Sequence, residues 1–119
     1  MRNLIDSVSA RVEVSEMATA LPLYKALSGV DEPAVLEFPA VKVAVVGPFL
    51  LMEGDAAVLE RLRRAATLHV NDLDAAVGAF VGADGEVLDG PAASGGGTRT
   101  IVRDRDGNVF ECFQKDSAE

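Results

Sequence analysis

Val70-Asn71-Asp72-Leu73-Asp74-Ala75-Ala76-Val77 reads as the end of a strand, a turn and the start of a helix. It has an earlier counterpart in Val14-Ser15-Glu16-Met17-Ala18-Thr19-Ala20-Leu21, aligned without a gap at an offset of 56 residues. Continued, this offset pairs Tyr24 with Phe80, Leu27 with Ala83 and Gly29 with Gly85. Further along it drifts to 60 and pairs Gly47 with Gly107 and Leu51 with Glu111. Each match is weak alone, but their order along the chain makes two similar halves, joined by a hinge, the expected organisation.

Each half carries the same pattern. Residues 8–14 alternate polar and apolar side chains, as a half-buried strand does. Ser15 or Glu16 is placed to cap a helix bearing Ala18, Leu21, Leu23, Tyr24 and Leu27, and Gly29 is placed to stop it. Three short strands follow at residues 34–38, 41–46 and 49–53, with Pro39 and Gly47-Pro48 at the turns. In the second half, residues 68–70 end a strand, and Asn71 or Asp72 caps a helix that closes at Ala83-Asp84-Gly85. Strands are predicted at 86–88, 99–103 and 109–114, with Asp106-Gly107 as a tight turn. The fold class is therefore α+β: two tandem βαβββ modules, about 7–54 and 65–115, around a hinge at 55–64 that has room for one helical turn. All 119 residues form one domain of this kind. Two such half-sheets joined edge to edge would make a curved mixed sheet around a cavity, helices outside, and a cavity is the default place for a ligand.

Composition narrows the chemistry. Hydrophobic residues make up 49% and charged residues 25% of the chain, as in an ordinary globular domain. Eleven basic against nineteen acidic residues leave a net charge of −8, which disfavours nucleic acid and anionic membrane surfaces and permits a cationic guest. Cys112 is the sole cysteine, so neither an intrachain disulfide nor a thiolate zinc cage can form. Asp6 interrupts the stretch where a secretory signal would need apolar residues, and no apolar run is long enough to span a membrane. A cytoplasmic location is the expectation.

The strand–turn–helix string from Val70 to Ala76 resembles the recurring opening of the glyoxalase/bleomycin resistance protein/dioxygenase superfamily, also called vicinal oxygen chelate. The ending Arg103-Asp104-Arg105-Asp106-Gly107-Asn108-Val109-Phe110-Glu111-Cys112-Phe113-Gln114 is similar to its C-terminal signature, and Leu88-Asp89-Gly90-Pro91 sits where the family often has Gly-Pro. The resemblance covers nearly the whole chain and implies the paired βαβββ fold and a homodimer. Enzymes of the family usually draw metal ligands from four strand positions. Carried across, these fall on Glu111, on its first-half counterpart Leu51 (Leu50 if the alignment slips by one), and on Ser9 and Ala65. Only Glu111 is a usual ligand, so no catalytic metal and no other cofactor is expected.

With Glu111 on the trough side, alternation places Val109 and Phe113 beside it and turns Phe110 and Cys112 towards the helices. The same rule assigns Arg11, Glu13, Thr67, His69, Phe49, Leu51 and Glu53 to the ligand lining, with Ser9. Glu111 and His69 are the candidates for acid–base work. Glu111 paired with Arg11 as a simple internal ion pair is the bland alternative. A displaced metal site from His69, Glu13, Glu53 and Glu111 ranks below no metal at all. Cys112 reads as a buried small hydrophobe rather than a nucleophile. Gly95-Gly96-Gly97 lacks the Lys-Ser/Thr of a phosphate loop and reads as a flexible loop at the trough's mouth. Arg61, Arg63 and Arg64 read as a solvated hinge or dimer contact, and Asp84, Glu86 and Asp89 as a solvated edge.

Three functions remain. The first is a metal-free protein that binds a small organic molecule in the sheet cavity. The second is a lyase, isomerase or dioxygenase of the same superfamily, working with a metal or by acid–base chemistry. The third is an interaction protein with no cavity ligand. The metal-poor ligand positions favour the first; five Phe, one Tyr and no Trp leave few platforms for a large planar guest.

Overall fold

Two βαβββ repeats are what the chain forms. The computed structural model describes residues 2–117. In order, the elements are β1 (Ile5–Glu13), α1 (Met17–Ser28), β2 (Ala34–Glu37), β3 (Val41–Val46), β4 (Phe49–Gly54), α2 (Ala56–Arg61), β5 (Ala66–Val70), α3 (Leu73–Gly82), β6 (Glu86–Ser94), β7 (Gly97–Arg103) and β8 (Val109–Lys115). The hinge takes up its helical turn as α2. Two compact units result, one of residues 9–63 and one of residues 2–8 with 64–117.

In the first unit the strand order is β2-β3-β4-β1, with β3 antiparallel to β2 and β4 and β1 parallel to β4. Met17, Ala44, Val46 and Leu51 are buried together under α1, and Tyr24 meets Phe49 edge-on at 5.0 Å. Val43 and Met52, which alternate with Ala44 and Leu51, pack instead against Leu59 of α2. Gly29 ends α1 in the left-handed conformation at φ 69°, donating its N–H to the Lys25 carbonyl. The α1 cap differs from expectation. Glu16 stands at the N-cap, but its side chain bonds no backbone N–H; its carboxylate is taken by the Thr19 hydroxyl at 2.6 Å. The carboxylate of Glu53, from β4, accepts the Met17 N–H at 2.5 Å and does the capping from a distance in sequence.

The second unit orders its strands β5-β8-β7-β6, with the start of β1 beside β5. Val70, Leu73, Ala76, Val102 and Cys112 form its core under α3, and Leu4, Ile5 and Phe110 pack against them. Asp72 caps α3 by accepting the Ala75 N–H at 3.0 Å, while the Gln114 side chain accepts the Leu73 N–H at 2.7 Å. The turn after β7 is built on Asp104, whose carboxylate accepts the N–H groups of Asp106 and Asn108.

Two expectations need correction here. The strand expected to stop at Leu88 continues to Ser94, because irregular register between Val87, Asp89 and Ala92 absorbs Gly90-Pro91 into the edge strand. The glycine run is no loose loop. Gly95 and Gly96, at φ 45° and 85°, are the two central residues of a tight hairpin turn, where glycine is free of the Cβ clash. Gly97 already belongs to β7. A Cβ there would stand within 2.6 Å of both the Gln114 carbonyl oxygen and the Phe113 ring, so Phe113 lies directly against bare backbone.

Candidate functional site

The face of the second unit's sheet turned away from α3 is set by register. Thr67 stands opposite Glu111, and Ile101 of β7 opposite Glu111 on its other side. His69 and Arg99 both stand opposite Phe113. Leu68, Val70, Val102, Phe110 and Cys112 alternate with these and go to α3, so Thr67, His69, Arg99, Ile101, Glu111 and Phe113 share the other face. This is the side the sequence assigns to Thr67, His69, Glu111 and Phe113.

Thr67 is buried at 4% exposure, and its hydroxyl donates to the Glu111 carboxylate at 2.8 Å. Ile101 is buried alongside. His69 meets the edge of the Phe113 ring at a centroid distance of 6.0 Å. Arg99 donates to the Asp89 carboxylate at 3.0 Å, with the arginine at 27% and the aspartate at 63% side-chain exposure. Arg64, half-buried just before β5, completes the group. Burial pulls its pKa down from the ordinary arginine value; the nearby charge of Glu111 opposes that fall, Arg99 adds to it and Asp89 opposes it. Arg64 therefore stands within electrostatic reach of Glu111, Arg99 and Asp89, and Arg99 is paired with Asp89.

Arg64 and Asp89 are residues that sequence reasoning set aside, and Arg99 is one that it did not single out. A signal for Arg99 was present: along Gly97-Thr98-Arg99-Thr100-Ile101-Val102-Arg103 it has the parity of Ile101. Arg64 was hidden by Arg61 and Arg63, with which it makes a short basic run at the module boundary.

Within the first unit, Arg11 and Glu13 stand opposite Leu50 and Met52, on the face away from α1. Arg11 donates to the Leu62 carbonyl at 2.8 Å, at the C-terminal end of α2 where a cation is favourable, and contacts the Met52 sulfur at 3.5 Å. Glu13 accepts two hydrogen bonds from Arg63, at 2.7 and 3.0 Å, and that pairing holds its carboxyl below the ordinary value. Phe49, Leu51 and Glu53 are corrections to the expected lining. All three lie on the α1 face: Leu51 is fully buried in the α1 core, Phe49 packs on Tyr24, and Glu53 caps α1. The cause is one residue of drift. Arg11 lies opposite Leu50 as Thr67 lies opposite Glu111, so the structural counterpart of Glu111 is Leu50, and a slip of one turns every side chain to the other face.

Among the described residues, no three His, Cys, Asp or Glu side chains gather closely enough to hold a metal ion. A shallow hollow of about 380 Å³ lies between the β2–β3 turn and the end of β4, walled by Phe38, Val41, Lys42 and Asp55. Glu53 is its one contact with the residues singled out from sequence.

No family model and no curated protein matches the chain. Solved structures do. The chain is similar, at 26% identity and a TM-score of 0.87, to an uncharacterized protein from Methanosarcina mazei, over 100% of this chain and 98% of the other. It is also similar to methylmalonyl-CoA epimerase from Mycobacterium tuberculosis, with 14% identity and a TM-score of 0.70 over 98% and 93% of the two chains. A methylmalonyl-CoA epimerase in complex with methylmalonyl-CoA and NH4+ gives 19% identity and a TM-score of 0.68 over 100% and 99%. The likeness to these epimerases is one of fold.

Proposed function

We propose that this chain, which has the vicinal oxygen chelate fold, binds a small organic molecule on the sheet face that carries Thr67 and Glu111, without a catalytic metal. The observation that carries this reading is the group around Glu111. Its carboxylate takes the Thr67 hydroxyl and lies within electrostatic reach of Arg64, while Ile101, Phe113 and His69 supply apolar and aromatic surface. A divalent ion approaching Glu111 meets guanidinium charge, and among the described residues no group of three His, Cys, Asp or Glu side chains is gathered to hold it. The same surroundings suit an organic guest, which needs directional polar contacts and a wall to lie against. We read the protein as a cytoplasmic homodimer, with no nucleic-acid or membrane partner, in keeping with its charge of −8.

The epimerase neighbours favour a second reading, in which Glu111 and His69 exchange protons with a bound substrate and the protein is an acid–base enzyme. Metal content and ligand binding test the proposal together. Purified protein incubated with Zn, Ni, Mn or Fe(II) and dialysed is expected to retain less than about a tenth of an equivalent of each, and a small-molecule fragment screen by NMR is expected to shift signals of Thr67, Glu111 and Phe113. One tightly held ion per chain, lost on Glu111→Gln, overturns the metal-free part. A screen with no hits on this face overturns the binding reading.

A further inference from the structure

We infer that the open edge of β2 takes up an extended peptide segment of a partner protein as an added antiparallel strand, and that this segment carries a basic residue followed by two apolar ones. The site lies in the first unit and does not depend on the ligand face around Glu111. β2 stands at the end of the first unit's strand order, and all of its residues, Ala34–Glu37, are exposed. At the mouth of the β2–β3 hairpin the Phe38 N–H donates to the Val41 carbonyl at 2.9 Å, so these two residues are a hydrogen-bonded pair. Alternation along an antiparallel ladder then bonds Leu36 to Val43 and Ala34 to Val45, and it turns the backbone groups of Val35 and Glu37 outward to the open edge. A segment laid along that edge meets N–H and carbonyl groups at strand spacing. Pro33 and Pro39, which carry no N–H, bound the edge and keep the added strand short.

Three cross-strand rows end at β2, and each selects its next neighbour. Register sets Glu37 opposite Lys42 and Lys42 opposite Glu53, a row of alternating charge whose next place, beyond Glu37, favours a cation. Lys42 lies 3.7 Å from Glu37 and both side chains are exposed, so their pairing is loose and leaves that place open to a second cation. Leu36, Val43 and Met52 form the second row, and Val35, Ala44 and Leu51 the third. The inner members of both are buried, whereas Leu36 and Val35 remain 42% and 45% exposed, so an apolar neighbour on each takes surface out of water. Charge beside the edge has one dominant sign. Among the described residues, the hollow at its end holds Glu37, Glu53 and Asp55 against the single base Lys42, and Asp31 and Glu32 lead into the strand. That excess favours a basic segment over an acidic one. It also disfavours a second copy of this chain, whose β2 would add its own Asp31, Glu32 and Glu37 to the same edge.

The probe is the peptide acetyl-Val-Lys-Val-Val-Thr-Ser-Lys-amide, titrated by NMR into the full chain, with a second peptide in which both lysines are glutamates. In the antiparallel register its first lysine lies opposite Glu37 and the next two valines opposite Leu36 and Val35. The lysine peptide is expected to shift the amide signals of Val35, Leu36 and Glu37 and to bind at least about fivefold more tightly than the glutamate peptide. Glu37→Lys, at an exposed position, is expected to erase or reverse that preference. Methylating the peptide's own backbone nitrogens reads the strand geometry directly. At the first lysine, or at the valine opposite Val35, the methyl group is expected to abolish binding; at the valine between them, whose N–H points away from β2, binding is retained. Equal binding of the two peptides overturns the basic assignment. Sensitivity to methylation at all three positions, or at none, overturns strand addition. No shift at β2 with either peptide overturns the site. Protection of the Val35 and Glu37 amides from exchange that rises with protein concentration, without peptide, gives the edge to a second copy and overturns it too.

Discussion

Cys112 shows how a residue's place in a strand decides its chemistry. It alternates with Glu111 and Phe113 and so points into the α3 core, where it is fully buried. Burial chiefly, and the negative charge of Glu111 in addition, push its thiol from 9.0 to about 11. At neutral pH almost none of it is thiolate, so its sulfur packs as a small hydrophobe and does not attack. The shift has a thermodynamic sign. The folded chain holds the proton more tightly than the unfolded chain, so the contribution is complete below the unfolded pKa and is lost as pH rises through the folded one. Between about pH 9 and about pH 11 the protein is therefore expected to lose more stability than its Cys112→Ala variant, because every other group titrates in both. Denaturant unfolding of both proteins at pH 8, 9, 10 and 11 checks this. Parallel curves would mean that the thiol is not as sequestered as its place in the core requires.

At the scale of elements, the strand faces matter most, and β4 is where alternation from sequence went astray. Leu51 belongs to the core with Met17, Ala44 and Val46, and removing its side chain leaves a cavity that the sheet and α1 cannot close. Leu51→Ala is expected to cost about 2–5 kcal/mol by chemical denaturation, while ligand binding on the second unit's sheet is unchanged wherever the protein remains folded. A cost below about 1 kcal/mol would put Leu51 on an open face after all. The repeat, the helix stops and nearly every strand were legible because each rests on local signals: alternation, glycine at φ > 0, Asp at an N-cap. The facing of β4 was not, because it depends on a count of residues through Gly47-Pro48, and one extra residue there reverses it. The capping of α1 by Glu53 was equally hidden, since it joins positions 36 residues apart. On the candidate site, Thr67, Glu111, His69 and Phe113 followed from parity, whereas Arg64 and Asp89 lie outside any alternating run that includes Glu111.

For the molecule as a whole, the division of the chain does not follow the division of the repeat. The amino-terminal residues 2–8 belong with residues 64–117, and β1 passes from that unit into the other at Ser9. The attachments are specific. The Leu4 carbonyl accepts the Asn71 N–H at 3.1 Å, and the Asn71 side chain donates to the Asn3 carbonyl and the Asp6 carboxylate. Arg2 pairs with Asp72, the residue that caps α3, and Leu4 and Ile5 pack on the core beneath that helix. These contacts join segments almost seventy residues apart, and no local pattern announces them. Removing residues 1–6 should therefore strip the turn before α3 of its partners and open one edge of its core, while α1, β3 and β4 keep every contact described for them. Hydrogen exchange read by mass spectrometry is expected to show protection falling sharply in 66–82 and remaining near its original level in 41–54. Equal loss in both regions would mean that the units unfold as one, with β1 coupling them. No loss in 66–82 would mean that the amino-terminal segment decorates the second unit without supporting it.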